Sequence, residues 1–421
     1  MKVLHVTHQY PPALGGSERY IADISEALVA RGHHVDVFTS RSLDFHTWRN
    51  ELSGFEERNG VNITRFRSLR RRGYIWRMLH FGLRNYWRTQ SRVYEPFIFI
   101  GGGPISLGMY LALRRQVSHY DLVHLNCLVY SHVAYGYAVA RARDVPIVVT
   151  PHLHIDQPQT YAIGFMRKVL LGADHVLADT EGERTHLINL GVESWRVTTA
   201  GSAIQPDDFP DLDRQLCRQQ LGIPEDAFVL LFFGRKEAYK GAGRVLEAYA
   251  ALKPAHPRLC LLMMGPETDY SRALAERYRD LPDWFNYGIV SDEARAQGLG
   301  AADCLVLPSE GEAFGIVFLE AWMMRAAVIG PHNPAVSTLI DAGQDGFLVD
   351  PNNVPELMEA ICALAQQPDL ARNMGRRGRK KVLSRYTVSR IADVVEGVYV
   401  RTLRRCQREA VCSAPQAGEA S

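Results

Sequence analysis

The chain has 421 residues, of which 47% are hydrophobic and 22% are charged, and its formal net charge is +2. Because domains usually hold about 100 to 200 residues, this length excludes one ordinary α/β core and predicts two domains. The composition is that of a soluble globular protein. A net charge this small gives no whole-chain argument for a nucleic acid partner, so none is expected.

The cysteine pattern and the two most apolar segments bear on the cellular compartment. The seven cysteines include no Cys-x-x-Cys pair and read as small core residues of a reducing compartment. The chain enters a strand at Val3 without a signal-peptide pattern. The longest apolar run, 96–113, is interrupted by Gly101-Gly102-Gly103-Pro104, so no transmembrane helix is predicted. We therefore expect a cytoplasmic protein.

Strands and helices alternate along the first half of the chain. A βαβ unit comes first, with a strand at 3–7, a loop containing Gly15-Gly16, a helix to about residue 30 and a strand at 34–39. Such alternation predicts a parallel sheet covered by helices on both faces. Further strands are predicted at 61–66, 122–125, 147–150, 175–178 and 196–199.

The same plan begins again after a polar, proline-containing segment, 205–218. Strands are predicted at 228–233 and 258–264, near residue 285, and at 303–307, 328–329 and 347–349. The predicted domains are therefore 1–205 and 206–385, each a doubly wound Rossmann-like fold. A helix at 386–410 follows them, and the tail 411–421 is predicted to be disordered.

Two glycine loops follow the first strands of the two halves. Gly15-Gly16 stands where a dinucleotide fingerprint would be, but Gly-x-Gly-x-x-Gly is absent, which argues against a nicotinamide cofactor. In the second half, Gly234-Arg235-x4-Lys240-Gly241 places two long cationic side chains beside flexible backbone. Such side chains can neutralise a diphosphate without a metal, although a solvated basic loop is the simpler alternative.

The segment Pro308–Met324 carries the strongest chemical signal. A strand ends at Pro308, an acidic loop follows, and an apolar helix is predicted from about Phe314, with Glu312 and Glu320 eight residues apart. The helix start offers backbone N–H groups to an anion. Because two carboxylates would repel a bare phosphate, we expect them to accept hydrogen bonds from hydroxyls. A ligand with phosphates and hydroxyls is a nucleotide sugar.

These motifs resemble those of the GT-B glycosyltransferases of family 4, which have Gly-Arg-x4-Lys-Gly and Glu-x7-Glu in this order. The resemblance spans nearly the whole chain and implies a GT-B fold, in which two Rossmann-like domains face each other across a cleft and the last helix crosses back to the first domain. It also implies retaining sugar transfer from a nucleoside-diphosphate sugar, without a metal or other cofactor. The loop 331–336 departs from the family pattern, which has a glycine pair and Pro-Glu there.

The resemblance also implies roles for individual residues. His152 and Glu312 would contact the donor sugar, Glu320 would accept from the ribose hydroxyls, and Gly16 would let the first domain approach the donor phosphates. The remaining donor-binding residues would hold the diphosphate or offer backbone N–H groups: Arg235, Lys240, Phe314, Gly315 and Ile316.

Two short motifs have other interpretations. His152 and His154 form a His-x-His pair that also fits a structural role or half of a zinc site, but no further ligands stand at useful spacing. Asp211-Leu-Asp213 has the spacing of a metal motif from a different glycosyltransferase fold. It lies in the predicted linker and is interpreted as coincidence, so no metal site is expected.

The segment 65–92 contains nine arginines and no acidic residue. At helical spacing, tryptophans and leucines fall on one side and arginines on another, which fits docking on an anionic membrane surface. RNA binding is a less favoured use, and a solvated helix face is the simplest one. The residues predicted to contact the membrane are Arg77, Arg84, Arg88, Trp76 and Trp87.

The expected function is retaining transfer of a sugar to an acceptor hydroxyl, in a lipid-linked or cell-surface glycan precursor. Membrane docking through 65–92 would make the protein peripheral on the inner face of the cytoplasmic membrane. One alternative is a nucleotide-sugar epimerase or phosphorylase on the same scaffold. Another is a non-catalytic, membrane-associated assembly partner.

Overall fold

The computed structural model describes residues 1–155 and 162–413, which form two α/β domains. The strands of the first domain are β1 (Lys2–Val6), β2 (His34–Ser40), β3 (Phe55–Arg58), β4 (Val61–Phe66), β5 (Leu122–Asn126), β6 (Ile147–Thr150), β7 (His175–Ala178) and β8 (Val197–Thr199). Its described helices are α1 (Gly16–Ala30), α2 (Gly73–Thr89), α3 (Glu95–Gly102), α4 (Leu107–Gln116), α5 (Ser131–Arg141), α6 (Gly164–Gly172) and α7 (Glu181–Asn189).

The second domain follows the same plan. Its strands are β9 (Phe228–Phe233), β10 (Leu259–Met264), β11 (Trp284–Tyr287), β12 (Cys304–Val306), β13 (Ala327–Pro331) and β14 (Gly346–Val349). The helices are α8 (Arg214–Leu221), α9 (Ala242–Leu252), α10 (Asp269–Arg277), α11 (Asp292–Ala301), α12 (Ile316–Met323), α13 (Val354–Gln366), α14 (Pro368–Arg385) and α15 (Val388–Ser413). Short 3-10 turns occur at Arg92–Tyr94, Val117–His119, Ser194–Arg196, Pro206–Asp208 and Val336–Thr338.

The two sheets share one strand order, apart from β3 and β8 at the edges of the first sheet. The first is an eight-stranded sheet with the order β3-β4-β2-β1-β5-β6-β7-β8, and the second has six strands in the order β11-β10-β9-β12-β13-β14. In each sheet the order reverses beside the first strand, between β1 and β5 and between β9 and β12. Ligands of open α/β sheets bind outside the carboxyl ends of the strands at such switch points. This is the arrangement of two Rossmann-like domains that the GT-B resemblance implied.

The central strands are buried on both faces because helices cover the sheets. Strand β9 pairs in parallel with β10 and β12, with Leu230 opposite Cys304 and Leu231 opposite Leu305. All six side chains of β10 are buried, as are the three of β12. Runs of this kind have no polar face, which is why the sequence predicted these strands within one or two residues.

The predictions missed the edge of the first sheet. Strand β3 pairs antiparallel with β4 and is largely exposed, with the sequence Phe-Glu-Glu-Arg. An exposed, charged edge strand has no apolar alternation to reveal it. At the other end of the chain, α15 extends to Ser413, into the segment predicted to be disordered, and 414–421 lie outside the described residues.

Helix α15 crosses back onto the first domain, as expected. Arg31 forms ion pairs with Asp393 and Glu396, both at 2.7 Å. Deeper in the interface, the Tyr399 hydroxyl lies 3.0 Å from His5 Nε2 and 2.6 Å from His124 Nδ1.

Within the described ranges no single helix is long and apolar enough to cross a bilayer. The segments Arg92–Gly102 and Leu107–His119 satisfy the length and composition criteria only as a pair, and the pair is bent by 98°.

Candidate functional site

The predicted donor-binding residues of the second domain lie at the carboxyl ends of β9 and β12. Lys240 Nζ lies 2.7 Å from Glu312 Oε2 and 3.3 Å from the carbonyl oxygen of Gly311. Both side chains are mostly buried, with 17% and 14% exposed. The structure thus joins the basic loop and the acidic loop in one ion pair, although the sequence predicted them as separate contacts to phosphate and sugar.

Gly241 explains how the two loops approach so closely. Its φ is +82°, and a Cβ there would lie 2.6 Å from the carbonyl oxygen of Pro308. Only glycine combines the left-handed conformation with the missing side chain. The Lys-Gly pair therefore places a cation and allows the neighbouring loop to pack against it.

The two other basic residues of this loop have different environments. Arg235 is exposed, with 44% of its side chain accessible and Nη1 3.7 Å from Glu237 Oε1. Lys236 is buried and donates to Asn286 Oδ1 at 2.6 Å and to the carbonyl oxygen of Tyr287 at 2.5 Å. Burial lowers the pKa of Lys236. The motif did not single out Lys236, which ties this loop to the end of β11.

Helix α12 begins at Ile316 rather than at Phe314, because Gly315 adopts a left-handed conformation with φ 88° as its N-cap. A Cβ on Gly315 would collide with the ring of Phe318. The Phe318 N–H donates to the Gly315 carbonyl oxygen at 2.9 Å, so the N–H groups of Ile316 and Val317 are the ones that can receive an anion or a hydroxyl at the helix start.

Across the cleft, Gly16 of the first domain faces this helix start. A Cβ on Gly16 would lie 3.1 Å from Ile316 Cδ1. The first-domain loop therefore lies next to the start of α12, where the phosphate and sugar site of the second domain is predicted.

Glu320 is buried and has a partner that the sequence did not reveal. Arg295 Nη1, on α11, donates to Glu320 Oε1 at 2.8 Å. Burial raises the pKa of the Glu320 carboxyl above its ordinary value, and the charges of Arg295 and Arg19 act in the opposite direction. The pair orients one carboxylate oxygen and leaves the other for a ligand.

His152 lies at the carboxyl end of β6 with both ring nitrogens next to oxygens. Nδ1 is 2.7 Å from Asp179 Oδ2, and Nε2 is 2.9 Å from Asn126 Oδ1. Its φ is 52°, an uncommon conformation that is frequent at functional sites. Neither Asp179 nor Asn126 was predicted, because they follow other strands.

The described residues 1–155 and 162–413 contain no group of three or more His, Cys, Asp or Glu side chains arranged to hold a metal ion. The two linker aspartates have structural partners instead. Asp211 Oδ1 pairs with Arg325 at 2.5 Å, and Asp213 caps α8 by accepting from the N–H groups of Gln215 and Leu216.

The basic segment 65–92 divides into buried and exposed parts. Arg65 belongs to β4, where it is 2% exposed and pairs with Glu56, and Arg71 is 7% exposed. On α2 the three arginines predicted to meet a membrane are exposed, whereas the two tryptophans are half-buried. Trp76 Nε1 donates to the carbonyl oxygen of His46 at 3.1 Å. The exposed aromatic residues of this helix are Tyr74 and Phe81.

Comparison with known proteins identifies the family. Residues 213–381 match the family model "Glycosyl transferases group 1", and residues 15–201 match "Glycosyl transferase 4-like domain". A "D-inositol 3-phosphate glycosyltransferase 1" from Catenulispora acidiphila is 30% identical over 296 residues, which are 64% of this chain and 69% of the relative. The chain belongs to the group 1 glycosyltransferases.

Solved structures of similar fold cover nearly all of this glycosyltransferase. Sucrose-phosphate synthase from Thermosynechococcus elongatus has a TM-score of 0.74 at 20% identity, with 96% of this chain and 99% of that chain covered. Anabaena HepE in complex with UDP-glucose has a TM-score of 0.71 at 18% identity, with 96% and 100% covered. These likenesses show the GT-B fold, and family membership makes the protein an enzyme that transfers a sugar from a nucleotide sugar.

Proposed function

We propose that this glycosyltransferase is a retaining, metal-independent enzyme that binds a nucleoside-diphosphate sugar between Gly16 and the start of α12. The observation that carries the proposal is the Lys240–Glu312 pair, 2.7 Å long and mostly buried, beside that helix start. A diphosphate would draw the Lys240 ammonium toward itself. Glu312 would then be able to accept hydrogen bonds from the hydroxyls of the donor sugar.

The other residues act around this pair. Arg235 is exposed at the edge of the cleft and would close on the outer phosphate. Phe314, Gly315 and Ile316 would present N–H groups to the sugar and phosphates, and the Glu320 oxygen opposite Arg295 would accept from the ribose. Positive charge and backbone dipoles of this kind stabilise a leaving diphosphate without a metal.

The reaction proposed is substitution on one face of the sugar. The bond between the anomeric carbon and the β-phosphate oxygen breaks, and the acceptor oxygen bonds to that carbon on the same face. The acceptor proton passes to the departing phosphate. No protein nucleophile is required, and His152, oriented by Asp179 at Nδ1, would bind a donor hydroxyl through Nε2 in place of the Asn126 amide oxygen.

We propose two acceptor classes that different observations favour. The exposed residues Arg77, Arg84 and Arg88, with Tyr74 and Phe81 nearby on α2, favour a cytoplasmic enzyme peripheral on the membrane, acting on a lipid-linked glycan precursor. The names of curated relatives, which are D-inositol 3-phosphate glycosyltransferases at 25–30% identity, favour a small phosphorylated polyol.

Membrane docking is tested by sedimentation with vesicles of anionic and of neutral lipid. We expect the wild type to sediment with anionic vesicles. A triple Arg77→Glu, Arg84→Glu, Arg88→Glu variant should remain in the supernatant. A triple variant of the exposed second-domain residues Arg372, Arg376 and Lys380 is the control. Equal sedimentation of the three proteins would remove the membrane part of the proposal.

Donor binding is tested by thermal shift with UDP, GDP, ADP and their sugars, in the presence of EDTA. A ligand that binds only the folded state raises the melting temperature, so one nucleotide should stabilise the wild type and not Lys240→Ala.

The reaction itself is tested with the donor that binds. Release of its nucleotide only when an acceptor is supplied separates transfer from epimerisation, and NMR of the product's anomeric proton tests retention. Failure of every nucleotide to bind would overturn the proposed donor site.

A further inference from the structure

Arg71 is a buried arginine whose charge has no anionic partner among the described residues. It follows β4 at the carboxyl edge of the first sheet and is 7% exposed. Its guanidinium lies between two indole rings, 5.5 Å from the centroid of Trp48 and 4.4 Å from that of Trp76. Its Nη2 donates to the carbonyl oxygen of Gly102, and its Nε is buried without a hydrogen-bond partner among the described residues.

This environment is unusual because buried charges are normally paired. In the described parts of the chain no carboxylate oxygen lies within 4.0 Å of the Arg71 guanidinium. Tyr130 and, more weakly, Asp44 act electrostatically on Arg71, and the oxygens of Asp44 accept from the His46 N–H and the Thr47 hydroxyl. Burial lowers the pKa of Arg71 to about 10, so the guanidinium remains charged at neutral pH.

Aromatic rings and a bare acceptor continue from Arg71 toward the Gly16 loop. Trp48 lies edge-on to Tyr130 at 5.5 Å, and Tyr130 stacks on His8 at 4.2 Å. His132 lies 6.1 Å from His8. Flat rings of this kind form walls for the apolar faces of a sugar or polyol ring.

The hydrogen bond of His132 determines which of its nitrogens a ligand meets. Nε2 donates to the carbonyl oxygen of Asn126 at 2.8 Å, and burial lowers the pKa of the ring to about 3. Since a carbonyl only accepts, the proton is on Nε2 and the buried, unpartnered Nδ1 is an acceptor. A hydroxyl could donate to it.

The cluster also adjoins the proposed donor site. His8 Nε2 lies 3.0 Å from Glu18 Oε1, and Glu18 belongs to the helix that Gly16 begins. Gly16 is the residue that faces Ile316 across the cleft. A ligand held by Arg71 and these rings would thus extend toward the donor sugar.

We propose that Arg71 binds the anionic group of a hydroxylated acceptor, a phosphate or a carboxylate, while His8, Trp48, Tyr130 and His132 surround its ring. This inference rests on the proposed function, whose acceptor it describes more closely. It also removes Arg71 from the arginines available to a membrane surface.

The test is calorimetric titration of the full chain, with UDP or whichever nucleotide binds also present. The probes are D-inositol 3-phosphate, neutral inositol, glucuronate and inorganic phosphate. We expect at least one anionic ring compound to bind and neutral inositol not to bind. Inositol phosphate without glucuronate would identify the phosphate as the recognised group, and glucuronate alone would identify the carboxylate.

Three variants locate the binding. Arg71→Gln should weaken binding of the anionic probe about tenfold or more, because it removes one charged contact. Arg71→Lys keeps the positive charge and should weaken binding of the probe less. It also serves as a second variant if Arg71→Gln does not fold. Arg70→Gln, an exposed neighbour, should have no effect. Nucleotide affinity should be equal in all three and also shows that each is folded.

Equal affinity of Arg71→Gln and Arg70→Gln for the anionic probe would overturn the inference, as would absence of anionic binding in a wild type that binds nucleotide. A wild type that binds no nucleotide would overturn the proposed donor site instead. The two failures are therefore distinguishable.

Discussion

The proposed donor site in the second domain and the surroundings of Arg71 in the first domain each contain a buried cation. The partners of the two cations differ. Lys240 has its counterion within the chain, Glu312, at 2.7 Å. Arg71 is at least as buried, and within the described residues it donates to one carbonyl oxygen and lies between two indole rings. An internal ion pair satisfies a buried charge within the chain, whereas a buried charge without a carboxylate partner is the basis of the acceptor site that we propose.

The largest effect is expected on the donor side. Lys240→Ala removes the cation nearest the leaving diphosphate and leaves Glu312 without its partner, so transfer should fall by about 10²- to 10³-fold in kcat/KM. Steady-state rates with an acceptor from the binding screen would measure this. Because the pair acts as a unit, a Lys240→Ala, Glu312→Gln double variant should lose less than the product of the single losses.

Lys380→Ala, an exposed lysine on α14, is the control and should retain wild-type rates. A Lys240→Ala enzyme within threefold of wild type would contradict the assignment of the donor site.

The second prediction concerns the stability of the two domains at acidic pH. Burial lowers the pKa of His5 and His132 to about 3 and of His175 to about 4, and all three belong to the first domain. Because unfolded histidines take up protons at pH 6.5, stability is complete above that pH and falls below it, by about 2 kcal/mol per histidine at pH 5. The second domain has only His256 and His332, neither buried.

Hydrogen exchange at pH 7 and pH 5, corrected for intrinsic rates, should therefore show the first domain losing protection before the second. His175→Gln should reduce the difference, and His119→Gln, on the exposed surface, should not. Equal loss in both domains would show that the buried histidines do not control acid stability.

A smaller effect is expected where the two domains meet. Gly16→Ala brings a methyl group to 3.1 Å from Ile316 Cδ1, which is closer than ordinary van der Waals contact, so the two domains must separate slightly or Ile316 must move. Closure over the donor should weaken, and kcat/KM should fall about tenfold, as misplacements near a reacting centre do. Ile316→Val removes the opposing methyl, so the double variant should recover most of the loss. Absence of recovery would mean that the contact is not made in the working enzyme.

The smallest effect concerns the linker carboxylates. Asp213→Ala removes a helix cap and should lower the free energy of unfolding by about 1 kcal/mol. Asp211→Asn breaks an exposed pair with Arg325 and should change neither stability nor activity measurably. Urea unfolding and rate assays, with and without EDTA, would measure both. Metal-dependent loss of activity in Asp211→Asn would revive the metal motif that we interpret as coincidence.

Local sequence was sufficient for most of the fold and for part of the site. Buried strands such as β9 and β12 are continuous apolar runs, and Lys240 and Glu312 stand in short motifs after them, as Gly16 does after β1. The exposed edge strand β3 and the partners Arg295 and Asp179 were missed. The edge strand has no apolar alternation. Arg295 and Asp179 carry no motif of their own and reach the site from other elements of the fold.

The sequence by itself determined the two doubly wound domains, the family and the loops that we propose bind the donor, because apolar periodicity and motif spacing are local properties. Only the tertiary structure decided which charges meet. Lys240 and Glu312 are 72 residues apart and become a pair because β9 and β12 are neighbours at a switch point. Arg71 looked like one of nine surface arginines and is buried because the turn after β4 places it between Trp48 and Trp76.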